Sequence, residues 1–130
     1  MRTFNKYNVS PKADRTCDGI VFDSKFEMKA YELLRDNLGK QYFTLSPKYE
    51  LQPKFRDSAG KAIRCITYVG DFLVTYNNKE YVVDTKGMET PVFKMKEKMF
   101  KYIYSKDIIK IKSKKRMLEF ITLIKNEKEF

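Results

Sequence analysis

The sequence predicts an α/β domain with a mixed, mainly antiparallel sheet flanked by helices, and three observations predict it. Two stretches with helical spacing and good N-caps, one beginning at Ser24 and one at Thr90-Pro91, bracket a run of short apolar segments. Within that run, Asn77-Asn78 separates two strand-like stretches and fits a two-residue hairpin turn, because Asn tolerates the positive φ such turns need. A further short apolar run, Asp107 to Ile111, follows the second helix. The predicted order is therefore helix, strand meander, helix, strand. A chain of 130 residues, 42% of them hydrophobic, reads as one domain, 1–130, with room for a sizeable core.

Residues 1–18 are polar and read as a flexible arm in which Arg2, Lys6, Lys12 and Arg15 are available to a phosphate backbone or simply to solvent. Gly19 to Phe22 is a candidate short strand. Ser24 to Leu38 is the first helix, with Asp23 or Ser24 as N-cap, Gly39 as stop, and Phe26, Ala30, Leu33, Leu34 and Leu38 at core spacing. Gln41 to Arg56 carries strand-like segments interrupted by Pro47 and Pro53, which restrict it to outer positions. Asp57 to Lys61 is a turn. Ala62 to Tyr76 is long for one strand, and Gly70 marks a bulge or bend just before Asp71. Glu80 to Lys86 returns antiparallel. In the second helix Thr90 is the N-cap and Pro91 the first helical residue. Its expected core face is Val92, Met95, Met99, Tyr102 and Ile103, with Phe93 and Phe100 alongside. Residues 113–130 form a C-terminal extension, helical over Arg116 to Lys125, offering either a packing helix or a dimer surface from Met117 to Phe130.

Composition narrows the chemistry. The 27 Lys+Arg against 17 Asp+Glu give a net charge of +10 and point to a polyanionic partner, nucleic acid above all. There is no histidine, which removes Ser-His-Asp and Cys-His triads and His-ligated metal sites. Acid–base work must then fall to carboxylates, Lys, Tyr or metal-bound water. Cys17 and Cys65 do not form a Cys-x-x-Cys pair and are expected as reduced thiols of a cytoplasmic protein. Neither an apolar run of membrane-spanning length nor a secretory-type N-terminus is expected from the sequence.

The chemistry concentrates on the hairpin. Counting outward from Asn77-Asn78 pairs Tyr76 with Lys79, Thr75 with Glu80 and finally Asp71 with Asp84. Directly opposed residues have Cβ atoms about 4.5–5.5 Å apart, and like charges placed so are destabilising without a cation between them. Lys86 lies at i+2 from Asp84 and so on the same face. One explanation is a buried ion-paired triad. It leaves two carboxylates facing one ammonium, a costly arrangement away from water. The other explanation, a hard divalent cation such as Mg²⁺ held by one or two carboxylates, waters and a phosphate, removes that imbalance and is preferred. Glu27 has two local readings: Ser24-Lys25-Phe26-Glu27 matches a capping box, or Glu27 points to the hairpin as a third acid. Between Lys94 and Arg116 lie ten basic residues against Glu97 and Asp107. Lys94, Lys98 and Lys101 share one helical face with Lys96 off that row, either a solvated face or a phosphate-contacting one.

Four blocks in order carry a family resemblance: Phe22-Asp23-Ser24-Lys25-Phe26-Glu27, Glu50-Leu51-Gln52-Pro53-Lys54-Phe55, Tyr68-Val69-Gly70-Asp71-Phe72 and Asp84-Thr85-Lys86-Gly87. Together they resemble the PD-(D/E)XK nuclease superfamily over about residues 19–112, and within it small phage and prophage endonucleases akin to Holliday-junction resolvases. The family often has proline before its first acidic motif, where this chain has Gly70. The resemblance implies a restriction-endonuclease-like core and a Mg²⁺- or Mn²⁺-dependent endonuclease. In it Asp71, Asp84, the Thr85 carbonyl and Glu27 would hold the metal–water array, and Lys86 would orient the attacking water or neutralise the transition state. Lys25, Lys94, Lys96, Lys98 and Lys101 would contact DNA. It also implies a branched or four-way-junction substrate and a homodimer in the cytoplasm of a host cell. The alternatives are a non-catalytic nucleic-acid-binding protein and a phage regulator that binds a host protein.

Overall fold

A computed structural model describes residues 10–126, which form two compact units: residues 10–41 with 112–126, and Tyr42–Ile111. The chain is α/β; the described residues form three α-helices and sheets that are mixed and mostly antiparallel. Among the described residues no helix is long and apolar enough to cross a membrane. Arg2 and Lys6, and the chain end after Asn126, lie outside the described residues.

In the first unit a 3-10 turn, Lys12–Arg15, leads into a two-stranded ribbon of β1 (Thr16–Cys17) and β2 (Ile20–Val21). Arg15, expected to be available to phosphate, is used internally: its guanidinium donates to the carbonyls of Ser10 and Phe22. Helix α1 (Lys25–Asn37) starts where expected, with Ser24 Oγ accepting from the Glu27 amide at 3.0 Å. Its buried face is Glu27, Met28, Ala30, Tyr31 and Leu34, turned from the predicted one so that Phe26, Leu33 and Leu38 are only half buried. Helix α3 (Lys114–Lys125) packs against α1 and buries Met117, Phe120, Ile121 and Ile124. Those residues therefore behave as a packing helix. Asp18 ties the ribbon to α1, accepting from Tyr31 Oη at 2.7 Å and pairing with Arg35 and Lys40, each at 3.2 Å. These donors, Tyr31 first, hold its carboxyl down at about 2.

The second unit centres on a four-stranded sheet made of β10 (Ile108–Ile111), β9 (Lys79–Thr85), β8 (Phe72–Tyr76) and β3 (Phe43–Leu45), in that order. The β8–β9 hairpin has the predicted register, Tyr76 with Lys79 through Phe72 with Val83. Asn77 and Asn78 take φ of 50° and 64°, the left-handed pair that matches the twist of the strands they join. Asn78→Gly should raise stability by roughly 0.5 kcal/mol, and Asn78→Val should lower it by about 1–2 kcal/mol, in chemical denaturation. Equal midpoints for all three proteins would show that the turn does not set the register.

Strand β10 joins the sheet in parallel beside β9, after the crossover through helix α2 (Pro91–Tyr104), placing Lys110 level with Asp84. The long Ala62–Tyr76 segment is broken as Gly70 suggested. It yields β6 (Ala62–Ile63), β7 (Ile66–Val69) and β8, with β7 pairing β4 (Lys48–Gln52) and β6 pairing β5 (Phe55–Arg56) in separate ribbons. Helix α2 packs on β4 and β7, and the core there joins Leu51, Tyr68, Val82, Phe93, Phe100 and Ile108.

The core face of α2 corrects the prediction. Phe93, Glu97 and Phe100 are buried, whereas Val92, Met95, Tyr102 and Ile103 are exposed, Tyr102 at 88%. Both sides of this helix carry apolar residues at helical spacing, so periodicity did not select one. The aromatic contacts did: Phe100 lies 5.0 Å from the Tyr49 ring and 5.6 Å from the Tyr68 ring.

Candidate functional site

The site is built at the point where β7 ends and β8 begins. Two backbone hydrogen bonds hold that bend, Gly70 N–H to the Pro47 carbonyl at 2.9 Å and Ser46 N–H to the Asp71 carbonyl at 3.0 Å. Proline at position 70 would forfeit the first of them. A side chain there would also crowd the site, since a Cβ at Gly70 would lie 3.3 Å from Tyr68 Oη and 3.2 Å from Val82 Cγ1. Glycine in place of the proline expected from the resemblance thus has a local cause.

Asp71 follows in the bend, one residue ahead of β8, where the paired register ends at Phe72 with Val83; its amide donates to that same Val83 carbonyl at 3.1 Å, a bulge-like offset that leaves its carboxylate beside Thr85 and Asp84. Asp71 Oδ2 accepts from Thr85 N–H at 2.8 Å and Thr85 Oγ at 2.7 Å. Asp84 Oδ2 accepts from Tyr68 Oη at 2.7 Å and pairs with Lys86 Nζ at 3.2 Å. The Lys86 ammonium also sits 3.9 Å from the centre of the Phe93 ring, a cation–π contact that fixes its direction. In both carboxylates these donors engage Oδ2.

Asp84 is 3% exposed. Burial, and then the neighbouring Asp71 carboxylate, push its pKa up to about 7, and the Tyr68 hydroxyl and Lys86 offset this only in part. Tyr68 is shifted upward by its burial and by Asp84, so it remains a neutral donor. The fold thus brings Asp71, Asp84 and Lys86 together, with Asp71 in the bend and not in the paired position opposite Asp84 that the hairpin count predicted. Thr85 also belongs to the site, through its amide and hydroxyl on Asp71.

Two further groups escaped the sequence reading. Tyr68 is the buried residue of β7, packed in the core with Phe93 and Phe100, where a phenol needs a partner for its hydroxyl. That need was the available signal. On β10, Lys110 pairs with Glu97 at 3.0 Å and Glu89 at 3.3 Å. These contacts, the Glu97 bond first, raise its pKa and hold it cationic. Glu97 is thus one of the acids expected amid the basic stretch, turned inward to a lysine.

Among the described residues no group of three or more Asp, Glu, Cys or His side chains is placed to hold a metal. The two-carboxylate arrangement fits a cation that keeps most of its waters and takes a phosphate oxygen, which is the habit of Mg²⁺. Of the expected DNA-contacting residues, Lys94, Lys98 and Lys101 are exposed on α2, and Lys96 is partly exposed. Lys101 makes a loose pair with Asp107 at 3.8 Å. Lys25 and Glu27 belong to the other unit. There Lys25 is exposed in the first turn of α1, and buried Glu27 accepts from Asp23 N–H at 3.3 Å, a cap displaced by one residue from the capping-box pattern. Both cysteines are free thiols, as expected.

Residues 5–119, most of the chain, match the protein family DUF1064. The chain belongs to the DUF1064 family. That family is described as one of unknown function. Comparison with curated proteins and with solved structures gives no match. The DUF1064 match spans Asp71, Asp84, Thr85 and Lys86 as well as the basic face of α2.

Proposed function

We propose that this DUF1064 protein is a metal-dependent DNA endonuclease. The observation that carries the reading is the pair Asp71 and Asp84, side by side at the base of the β8–β9 hairpin, with Asp84 held near neutrality by burial and by its neighbour while Lys86 stands beside it. A carboxylate tuned in this way suits a site that receives a cation with its substrate. Asp71 and Asp84 would hold Mg²⁺ or Mn²⁺, which when bound supplies a nucleophilic water and neutralises charge on the scissile phosphate. Thr85 orients Asp71, Tyr68 orients Asp84, and Lys86 is aimed by Phe93 toward the same place. Lys86 would stabilise the developing negative charge on the phosphate oxygens. Exposed Lys94, Lys98 and Lys101 would receive the flanking backbone. The resemblance to PD-(D/E)XK enzymes adds a branched substrate, a homodimer and a role for Glu27 to this proposal. Fold-level analogy ranks no substrate above another, so the substrate needs its own test.

That test is incision of a four-way junction, a duplex and a single strand, with Mg²⁺, Mn²⁺ or EDTA, at two salt concentrations. Paired incisions of the junction that disappear with EDTA are the expected result. Equal cutting of all three substrates keeps the nuclease and removes the junction preference. Salt-sensitive binding with no cutting under either metal leaves a nucleic-acid-binding protein.

A further inference from the structure

The ribbon β5–β6 stands apart from the sheet that carries the carboxylates: it pairs only with itself, Phe55 with Ile63 and Arg56 with Ala62. Its turn is held by Asp57, whose Oδ1 accepts from the amides of Ala59 and Lys61, both at 2.9 Å. With that carboxylate engaged by its own turn, Lys54, Arg56, Lys61 and Arg64 are all exposed, and among the described residues no acid pairs with any of them. Phe55, in the same ribbon, is 47% exposed. A cavity lined by Lys54, Phe55, Arg56, Ala62, Ile63 and Arg64 opens on the ribbon. Strand alternation puts Arg56 and Ala62 on one face and Phe55 and Ile63 on the other.

This pattern has a physical reading. An isolated two-stranded ribbon has little core of its own, so a half-exposed aromatic ring on it gains little for the fold. Unneutralised Lys and Arg side chains gain free energy on a polyanion by releasing its counterions. An exposed aromatic ring on the ribbon's other face offers a surface on which an unpaired base can stack, and a two-stranded ribbon is narrow enough to enter a DNA groove. An apolar protein partner would leave four cations to be desolvated without partners.

We propose that the β5–β6 ribbon is a nucleic-acid-gripping arm, with Lys54, Arg56 and Arg64 on the phosphate backbone and Phe55 stacking on an unpaired base. It rests on the nuclease reading only in taking DNA as the polyanion, and it assigns substrate selection to residues outside the carboxylate site. An arm of this kind favours DNA that presents both duplex and unpaired bases, as branched and forked substrates do.

Binding of the full chain to a duplex, a fork and a single strand of matched sequence, measured in EDTA over a range of salt, tests the arm. Lys54→Gln/Arg56→Gln/Arg64→Gln should weaken binding to all three by at least about 10-fold and make the log-affinity against log-salt slope shallower by about 2 to 3. Phe55→Ala should weaken fork and single-strand binding by roughly 5- to 100-fold and leave the duplex unchanged. Arg56 also donates to the Gly60 carbonyl, so Lys54→Gln/Arg64→Gln, which removes no hydrogen bond of the described residues, serves as the second variant, with a melting curve for each protein. Wild-type binding that all three variants reproduce, in affinity and salt slope, overturns the arm and leaves the nuclease reading standing. An effect of the charge variants without one of Phe55→Ala overturns the stacking role. A wild type that binds none of the DNAs overturns both proposals.

Discussion

Asp84→Ala should abolish metal-dependent cleavage, lowering the rate by roughly 10³-fold or more, while DNA affinity stays within a factor of about two. The loss is large because one substitution removes half of the carboxylate pair and also the anchor of Lys86. Affinity is spared because the exposed lysines of α2 are untouched. Ala leaves the buried Tyr68 hydroxyl without its acceptor, at about 1–3 kcal/mol, so Asp84→Asn is the cleaner variant, since its amide oxygen still accepts from Tyr68. Both variants should be dead in the incision assay, and Asn should keep the fold. If Asp84→Asn instead melts the protein and takes DNA binding with it, the three charges are a structural triad and the nuclease proposal fails.

The second large effect is on stability against pH. The folded-state pKa of Asp84 is raised from 3.8 to about 7, so between those values the folded protein binds a proton that the unfolded chain releases. Its contribution is therefore fully present below pH 4 and is lost as pH rises through 7. The whole shift is on the order of 4 kcal/mol. Asp18 acts in a separate window with the opposite sign. Its pKa is lowered to about 2, and the stability it adds above pH 4 is lost as pH falls through 2. Denaturation in EDTA from pH 4.5 to 8 should show wild-type stability falling with pH and Asp84→Asn nearly flat. Saturating Mg²⁺ should restore the wild type at pH 8, because binding to the folded state shifts the equilibrium toward it, and should leave Asp84→Asn unchanged. Parallel pH curves for the two proteins would show that Asp84 is not the group that titrates.

Both expectations rest on features of different legibility. The hairpin could be read residue by residue, because a two-residue turn fixes the pairing next to it; Asn77-Asn78 was enough to give the register from Tyr76 with Lys79 to Phe72 with Val83 and so to bring Asp71 near Asp84, though not the bend that takes Asp71 out of the ladder. Lys86 followed from alternation alone. The caps at Ser24 and Thr90 were equally local, each a side-chain oxygen on an amide three residues ahead. Glu27 was less so: its carboxylate takes the Asp23 amide where the capping-box pattern named that of Ser24.

What local pattern determined here is what short-range geometry controls: the element order, the hairpin register, the starts of the first two helices and the placing of two acids near a lysine. Tertiary structure decided which residues surround them. The buried face of α2 is chosen by Phe100 meeting Tyr49 and Tyr68, residues some fifty and thirty positions earlier in the chain. The same packing brings Tyr68 to Asp84, Phe93 to Lys86 and Glu97 to Lys110. The physical reason is that burial and partner charges set the protonation of a carboxylate, and both come from residues distant in sequence. The two acids were legible in the sequence; that one of them titrates near neutrality was not.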